Sequence, residues 1–160
     1  MRGFLEVPRG VLYSRAMSDG AAGWILRCDG GARGNPGPAA FGYVLLDPTG
    51  GETEARGEYL GSVTNNVAEY RGLIAGLDAA ITRGANPLTV YMDSELVVRQ
   101  MTGEYRVKNE GLKPLHNAAR ERASKLSRVR FVAVRREENV RADRLVNETL
   151  DKVLGTESPR

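Results

Sequence analysis

Residues 24–47, WILRCDGGARGNPGPAAFGYVLLD, decide the fold. The apolar run WILRC ends at Asp29, a glycine- and proline-rich loop GGARGNPGPA follows, and FGYVLLD forms a second apolar run. Short apolar runs bounded by turn residues are typical of β-strands. A turn at TGGE (49–52) and the run ARGEYLG (55–61) predict a third strand. Three antiparallel strands are the simplest arrangement for such a segment.

The hydrophobic period changes after residue 65, which predicts helices alternating with strands. Apolar residues recur every three or four positions through NVAEYRGLIAGLDAAI (66–81), as in a helix with one buried side. Gly84 and Pro87 end this helix. The remaining predicted elements are a strand at 88–92, a short helix at 95–101 capped by Ser94, a helix at 111–126, a strand at 129–134 and a helix from about Val140 to Leu154.

This order of elements predicts an α/β fold built on a mixed five-stranded sheet flanked by helices. The first three strands are antiparallel, whereas helical crossovers make the fourth and fifth parallel. Helices have to cover both faces of such a sheet. We expect one domain at residues 24–154, preceded by a mobile or expression-derived leader at 1–23 and followed by frayed residues at 155–160.

The composition excludes several classes of protein. With 160 residues, 41% of them hydrophobic and 27% charged, the chain fits one ordinary globular domain. The single cysteine, Cys28, cannot form an intramolecular disulfide, and we expect it to pack as a small core residue. No apolar run approaches the ~18 residues that span a membrane, and no secretion signal is evident. We therefore expect a cytoplasmic monomer without a membrane partner.

Charge is unevenly distributed along the chain, although the net charge is only +3. Nine acids and four bases lie between Asp29 and Glu95, whereas eleven bases and three acids lie between Arg99 and Arg136. A basic surface beside an acidic centre suits a protein that binds a phosphate backbone and holds a cation. A solvated basic helix explains the same charges, so this pattern alone does not decide the function.

Four carboxylates stand where the predicted topology would bring side chains together. Asp29 and Asp93 each end an apolar strand, Glu69 lies early in the first long helix, and Asp143 lies in the first turn of the last helix. Each acid alone fits a turn, a helix cap or a favourable helix-dipole charge. Together they indicate Mg²⁺ or Mn²⁺, because these ions prefer oxygen ligands. Two such ions would support phosphodiester hydrolysis.

Four motifs in this order resemble type 1 ribonuclease H in its compact form, which lacks a basic protrusion. They are DGGARGNPGPAAFG from Asp29, TNNVAEYRGLIAGL from Thr64, YMDSELV around Asp93 and REENVRADRLVNE ending at Glu148. The resemblance implies a ribonuclease H-like fold and cleavage of the RNA strand of RNA/DNA hybrids, leaving 5′-phosphate and 3′-hydroxyl ends. It also implies that Asp29, Glu69, Asp93 and Asp143 are the catalytic ligands of two Mg²⁺ or Mn²⁺ ions.

The resemblance further implies a set of substrate-binding residues. Amides can donate to and accept from the ribose 2′-hydroxyl, and small residues let the backbone approach a sugar-phosphate chain. The same residues also suit turns and helix caps, Asn65 in particular. The implied minor-groove contacts are Asn35, Asn65 and Asn66, the close backbone contacts are Gly30, Gly31 and Ala32, and the pocket for a DNA phosphate is Thr64 and Asn109, with Lys108 beside it.

Three departures from the family pattern bear on activity. Glu95 stands where many relatives have a substrate-binding glutamine, so a charge replaces an amide; this charge could repel phosphate or join the metal environment. The segment 102–112 is too short for a basic protrusion, so hybrid affinity should depend on the surface from Arg99 to Arg136. The loop position that carries a histidine in many relatives is Ala133 here, and the only histidine, His116, lies in a predicted helix.

These departures leave alternatives open. Arg135 or Arg136 could replace part of the electrostatic contribution of the missing histidine, or both could be ordinary surface arginines. A hybrid-binding module with weakened catalysis and a broader nuclease that also cleaves double-stranded RNA remain alternatives to a hybrid-specific enzyme. Double-stranded RNA presents the same 2′-hydroxyl groups as the RNA strand of a hybrid.

Overall fold

The computed structural model describes residues 23–155. Apart from Gly23 and Gly155, the predicted leader and the predicted frayed end lie outside the described residues. The elements, in chain order, are β1 (Trp24–Ala32), β2 (Gly37–Leu46), β3 (Glu52–Val63), α1 (Asn65–Thr82), β4 (Leu88–Met92), α2 (Glu95–Met101), α3 (Lys113–Ala123), β5 (Val129–Ala133), a 3₁₀ turn (Arg136–Glu138) and α4 (Val140–Leu154).

The five strands form one sheet in the order β3-β2-β1-β4-β5. The pairs β1–β2 and β2–β3 are antiparallel, and the pairs β1–β4 and β4–β5 are parallel. This arrangement confirms the predicted α/β class with three antiparallel and two parallel strands. The carboxyl ends of the parallel strands β1, β4 and β5 therefore meet at one edge of the sheet.

The first two strands are longer than the sequence predicts. Gly30, Gly31 and Ala32 were expected in a loop, but they continue β1 because they pair with residues 39–41 of β2. The connection is thereby reduced to residues 33–36. Glycine and alanine are poor strand formers on their own, so the ladder to β2 overrides their local preference.

Helices cover both faces of the sheet. The main core lies between the sheet and α1, with α3 behind α1, and it includes the fully buried Leu26, Tyr43, Leu73 and Phe131. On the other face α4 packs on β1, β2 and β3 around a small cluster of Ala40, Val146 and Leu150.

The close packing of α4 depends on a glycine in β2. A Cβ atom at Gly42 would lie 2.7 Å from the Leu145 Cβ and 2.9 Å from the Ala142 carbonyl oxygen. This strand therefore lets the first turns of α4, including Asp143, lie directly on the sheet. Among the helices of residues 23–155, none is both long enough and apolar enough to cross a membrane.

Candidate metal and nucleic-acid site

The sheet register places two of the predicted acids side by side. Cys28 of β1 pairs with Met92 of the parallel strand β4, and the next residues are Asp29 and Asp93. Glu69 joins them from α1, and one oxygen from each of the three carboxylates lies within 4.8 Å of the other two. The local order of strand and helix thus converts three distant positions in the sequence into one acidic cluster.

A glycine beside the cluster brings α1 close to β1. A Cβ atom at Gly30 would lie 2.3 Å from the Ala68 carbonyl carbon and 2.5 Å from the Glu69 backbone nitrogen. These are backbone atoms, so no side-chain rotation would relieve the clash. Only glycine at position 30 allows the second turn of α1 to lie against the strand that carries Asp29.

The acids repel one another in the absence of a cation. Burial, followed by the charges of Asp93 and Asp143, raises the pKa of Asp29 to about 8. Burial, followed by the charges of Asp29 and Asp93, also raises the pKa of Glu69 well above its ordinary value. The Glu69 Oε1 atom is buried and has no hydrogen-bond partner among the described residues.

These observations fit a divalent cation. The donor set consists of carboxylate oxygens, which suit hard ions such as Mg²⁺ and Mn²⁺ better than zinc. A cation would satisfy the unpartnered Glu69 Oε1 and would offset the mutual repulsion that raises these pKa values. The residues present therefore match the ion that the family resemblance implies.

Asp143 lies beside this cluster. It is half-buried in the first turn of α4, and its charge raises the pKa of Asp29. Its Oδ2 atom accepts a 3.4 Å hydrogen bond from the Asn147 Nδ2 atom one turn later. The structure thus brings three of the four predicted ligands together and places the fourth within electrostatic reach.

The predicted minor-groove asparagines form a connected chain of hydrogen bonds. The Ala32 backbone N–H donates to Asn65 Oδ1 at 2.7 Å, and the Asn65 backbone N–H donates to Asn35 Oδ1 at 3.0 Å. These bonds join the end of β1, the loop at 33–36 and the start of α1. Asn35 is exposed and Asn65 and Asn66 are half-buried, while a Cβ at Gly31 would meet only Val146, at 3.7 Å.

The sequence suggests Asn65 as a possible cap of α1, but the structure places the cap one residue earlier. Thr64, not Asn65, caps α1, because the Thr64 hydroxyl oxygen accepts from the Val67 N–H at 3.2 Å. Asn109 likewise serves local structure, since its Oδ1 accepts from the N–H groups of Gly111 and Leu112 at 2.7 and 3.2 Å. A phosphate pocket formed by Thr64 and Asn109 stays a prediction.

The charge of Glu95 is compensated within its own helix. Its Oε2 atom accepts from Arg99 Nη2 at 2.8 Å, one turn along α2. Arg99 also pairs with Glu104 beyond the end of the helix. The departure at Glu95 therefore adds an ion pair to the surface of α2. Arg99 offsets the negative charge that Glu95 brings to this position.

The position expected to replace a loop histidine lies in a strand. Ala133 is the last residue of β5, pairs in register with Met92 and packs against the main core. Ala133 therefore belongs to the strand that the sequence predicts at 129–134, and the loop in which many relatives carry the histidine begins only after it. His116 is half-buried on α3, where its Nε2 atom lies 3.1 Å from the Gln100 carbonyl oxygen, and it stays outside the acidic cluster.

An arginine in the following turn approaches the acids instead. The Arg136 Nε atom lies 3.8 Å from Asp93 Oδ2, although the Arg136 side chain is 79% exposed. Its neighbour Arg135 pairs with Glu137. Of the two arginines considered from the sequence, the structure places Arg136 at the cluster.

Sequence reasoning missed Asn139. This residue is 1% exposed and donates from Nδ2 to the Cys28 carbonyl oxygen at 2.9 Å and to Asp93 Oδ1 at 3.4 Å. An asparagine directly before a helix usually indicates a cap, yet this side chain makes no capping bond. Its burial depends on tertiary packing, so the motif REENVRAD carries no local signal for it.

Comparison with known proteins agrees with this geometry. Residues 27–149 match a family model described as "Reverse transcriptase-like". The Mycobacterium tuberculosis "Bifunctional protein Rv2228c" is 43% identical over 149 residues, covering 84% of this chain and 41% of the relative. The "Ribonuclease HI" of Halobacterium salinarum is 42% identical over 123 residues, covering 77% of this chain and 62% of the relative. The chain thus spans about two fifths to three fifths of these relatives.

The chain also matches one solved structure over almost the whole of that structure's chain. The crystal structure of LC11-RNase H1 in complex with an RNA/DNA hybrid is similar with a TM-score of 0.78 and 43% identity, over 82% of this chain and 99% of that one. The fold, the order of the motifs and the acidic cluster agree with these matches. The chain therefore belongs to the type 1 ribonuclease H family, within the group described as reverse transcriptase-like.

Proposed function

We propose that this chain is a metal-dependent endoribonuclease that hydrolyses the RNA strand of RNA/DNA hybrids. The observation that carries the proposal is the cluster of Asp29, Glu69 and Asp93, whose oxygens lie within 4.8 Å of one another at one edge of the sheet. Support comes from a 43% identical relative whose structure contains an RNA/DNA hybrid. The proposal concerns this chain, which covers 41% of its Mycobacterium tuberculosis relative.

Asp29, Glu69, Asp93 and Asp143 are the residues that would hold the ions, which we propose to be Mg²⁺ or Mn²⁺. In phosphodiester hydrolysis a pair of such ions lowers the pKa of the attacking water and stabilises the leaving oxygen. The protein's own part is to hold four acids in a partly buried site, where the raised pKa of Asp29 and Glu69 shows that charge is under-compensated. Clustered carboxylates of this kind bind divalent ions more strongly than isolated surface acids.

The asparagine chain supports selection of RNA. Asn35 and Asn65 are fixed by backbone hydrogen bonds beside the end of β1, so little side-chain entropy remains to be lost on binding. The amides of Asn35, Asn65 and Asn66 can contact a 2′-hydroxyl group, which DNA lacks. Gly31 and Ala32 are half-buried and carry little or no side chain, which leaves this part of the strand open to a sugar-phosphate chain, whereas Gly30 is buried against α1.

Cleavage of four substrates of one sequence tests this function. RNA/DNA hybrid, RNA/RNA, DNA/DNA and single-stranded RNA are each incubated with Mg²⁺, Mn²⁺ or chelator. We expect ion-dependent cutting of the RNA strand of the hybrid. Comparable cutting of RNA/RNA would instead establish the broader nuclease, and binding of the hybrid without cutting under either ion would establish a binding module.

A substitution in the cluster separates catalysis from binding. Asp93→Asn should abolish cleavage while hybrid binding persists or tightens, because one negative charge beside the substrate phosphates is removed. Retained cleavage by Asp93→Asn would contradict the proposed ligand set.

We also propose that the chain is a monomer and that it acts in the cytoplasm. Light scattering tests the first point, and cell fractionation tests the second.

A further inference from the structure

Asn139 is buried beside the acidic cluster for a reason that local structure does not supply. It lies between the 3₁₀ turn and α4 and is 1% exposed. Within residues 23–155 the only other polar residues buried to a similar extent are Asp29 and Gln100. Burial of an amide is unfavourable unless its donors and acceptor are satisfied, so this position requires an explanation.

Three contacts connect Asn139 to the elements that carry the acids. Its Nδ2 atom donates to the carbonyl oxygen of Cys28, which precedes Asp29 on β1, and to Asp93 Oδ1 after β4. Its backbone carbonyl oxygen accepts from the Asp143 N–H at 3.1 Å in the first turn of α4. One residue thus joins the segments that hold three of the four predicted ligands.

The unused oxygen of the amide indicates that the donor is the important group. Asn139 Oδ1 is buried and has no hydrogen-bond partner in the described part of the chain. A buried acceptor without a partner destabilises the fold, and an apolar side chain of similar size would avoid this cost. Because the residue makes no helix-capping bond, the bonds from Nδ2 are what the amide contributes.

We propose that Asn139 is a positioning residue for the metal site: its hydrogen bond to Oδ1 fixes the orientation of the Asp93 carboxylate, one of the groups that would hold an ion. This inference rests on the proposed metal-dependent function. Groups that hydrogen-bond to a metal ligand fix its orientation, and their removal typically weakens metal binding. Arg136, which approaches Asp93 Oδ2, is mostly exposed and free to move aside, whereas Asn139 is held by packing.

Titration of Mn²⁺ without nucleic acid, followed by electron paramagnetic resonance, tests this role. We expect Asn139→Ala and Asn139→Ser to bind Mn²⁺ about 10- to 100-fold more weakly than the unmodified chain. The serine hydroxyl is too short to reach Cys28 and Asp93 together, and serine leaves a smaller cavity than alanine does. If the alanine variant does not fold, the serine variant decides the question.

An asparagine at the opposite end of the sheet provides the control. Asn86 bridges two loops through Ser127 and the Arg128 N–H, at 2.7 and 3.1 Å, and lies before β4. Asn86→Ala should lower the melting temperature without changing Mn²⁺ affinity. Raising the Mn²⁺ concentration should restore hybrid cleavage by the Asn139 variants, with an unchanged KM for the hybrid.

The outcomes distinguish this inference from the proposed function. Mn²⁺ affinity of the folded Asn139 variants within twofold of the unmodified chain would overturn the positioning role and leave the proposed function intact. Absence of Mn²⁺ binding and of cleavage in the unmodified chain would instead overturn the proposed function.

Discussion

Arg136 is a charged side chain of the β5–α4 connection that approaches the acids. Arg136→Ala should lower kcat for hybrid cleavage about two- to fivefold, the factor that corresponds to the ~0.5–1 kcal/mol of an exposed charge interaction. The physical reason is the loss of a positive charge 3.8 Å from Asp93. Steady-state kinetics at saturating hybrid measure the effect. Arg135→Ala is the matched control because Arg135 pairs with Glu137, and equal effects of the two substitutions would contradict the assignment.

His116 makes the stability of the fold depend on pH. Burial lowers the pKa of His116 below its ordinary value of 6.5. The unfolded chain therefore binds a proton at a higher pH than the folded chain. The contribution of His116 to the free energy of unfolding is fully present above pH 6.5 and is lost as the pH drops toward the lowered pKa. Urea denaturation in chelator should show a larger loss between pH 7 and pH 5 for the unmodified chain than for His116→Gln. Parallel curves would refute this.

At the scale of elements, the approach of α1 to β1 sets the geometry of the acidic cluster. Gly30→Ala should lower the free energy of unfolding by ~3 kcal/mol or more, the upper range for overpacking, because the new Cβ meets the backbone of α1. Gly31→Ala is the matched control, with its nearest neighbour at 3.7 Å, and should change stability by less than ~1 kcal/mol. Chemical denaturation of both variants checks the prediction. A tolerated Gly30→Ala would show that α1 can move away from β1.

The elements were predictable wherever local pattern and tertiary packing agree. The period of residues 66–81 predicts α1, and the apolar run at 88–92 predicts β4 with its bounds. The end of β1 was not predictable, because pairing to β2 decides it. The end of β5 was predicted to within one residue. Three acids could be brought together from the topology alone, whereas burial of Asn139 needs the packed structure.

At the scale of the molecule, the basic stretch from Arg99 to Arg136 reaches both ends of the parallel strands. α2 begins at the edge that carries the acids, whereas residues 124–128 precede β5 at the opposite end of the parallel strands. The Leu88 N–H donates to the Arg128 carbonyl oxygen at the start of β4, which fixes this placement. We therefore expect the part of this stretch that lies near the acids to contact a hybrid more than residues 124–128 do.

Salt dependence of hybrid binding tests this division. Lys108 adjoins Asn109, a predicted phosphate-binding residue, so Lys108→Ala should reduce the slope of log K against log salt by about 1, the effect of losing one phosphate contact. Lys125→Ala removes the same charge from the opposite end of the sheet and should leave the slope unchanged. Binding isotherms in chelator, at several salt concentrations, measure both slopes. Equal slopes for the two variants would argue against binding of the hybrid at only one end of the sheet.

The chemical nature of the cut ends tests the central claim most directly, namely that the acidic cluster holds ions that hydrolyse RNA in a hybrid. Water activated at the cluster attacks the phosphorus, so the account predicts 5′-phosphate and 3′-hydroxyl ends that form only with Mg²⁺ or Mn²⁺. Mass spectrometry of the RNA fragments identifies the ends. Fragments with 2′,3′-cyclic phosphate ends, or cleavage that persists in chelator, would show attack by the ribose hydroxyl and would contradict the account.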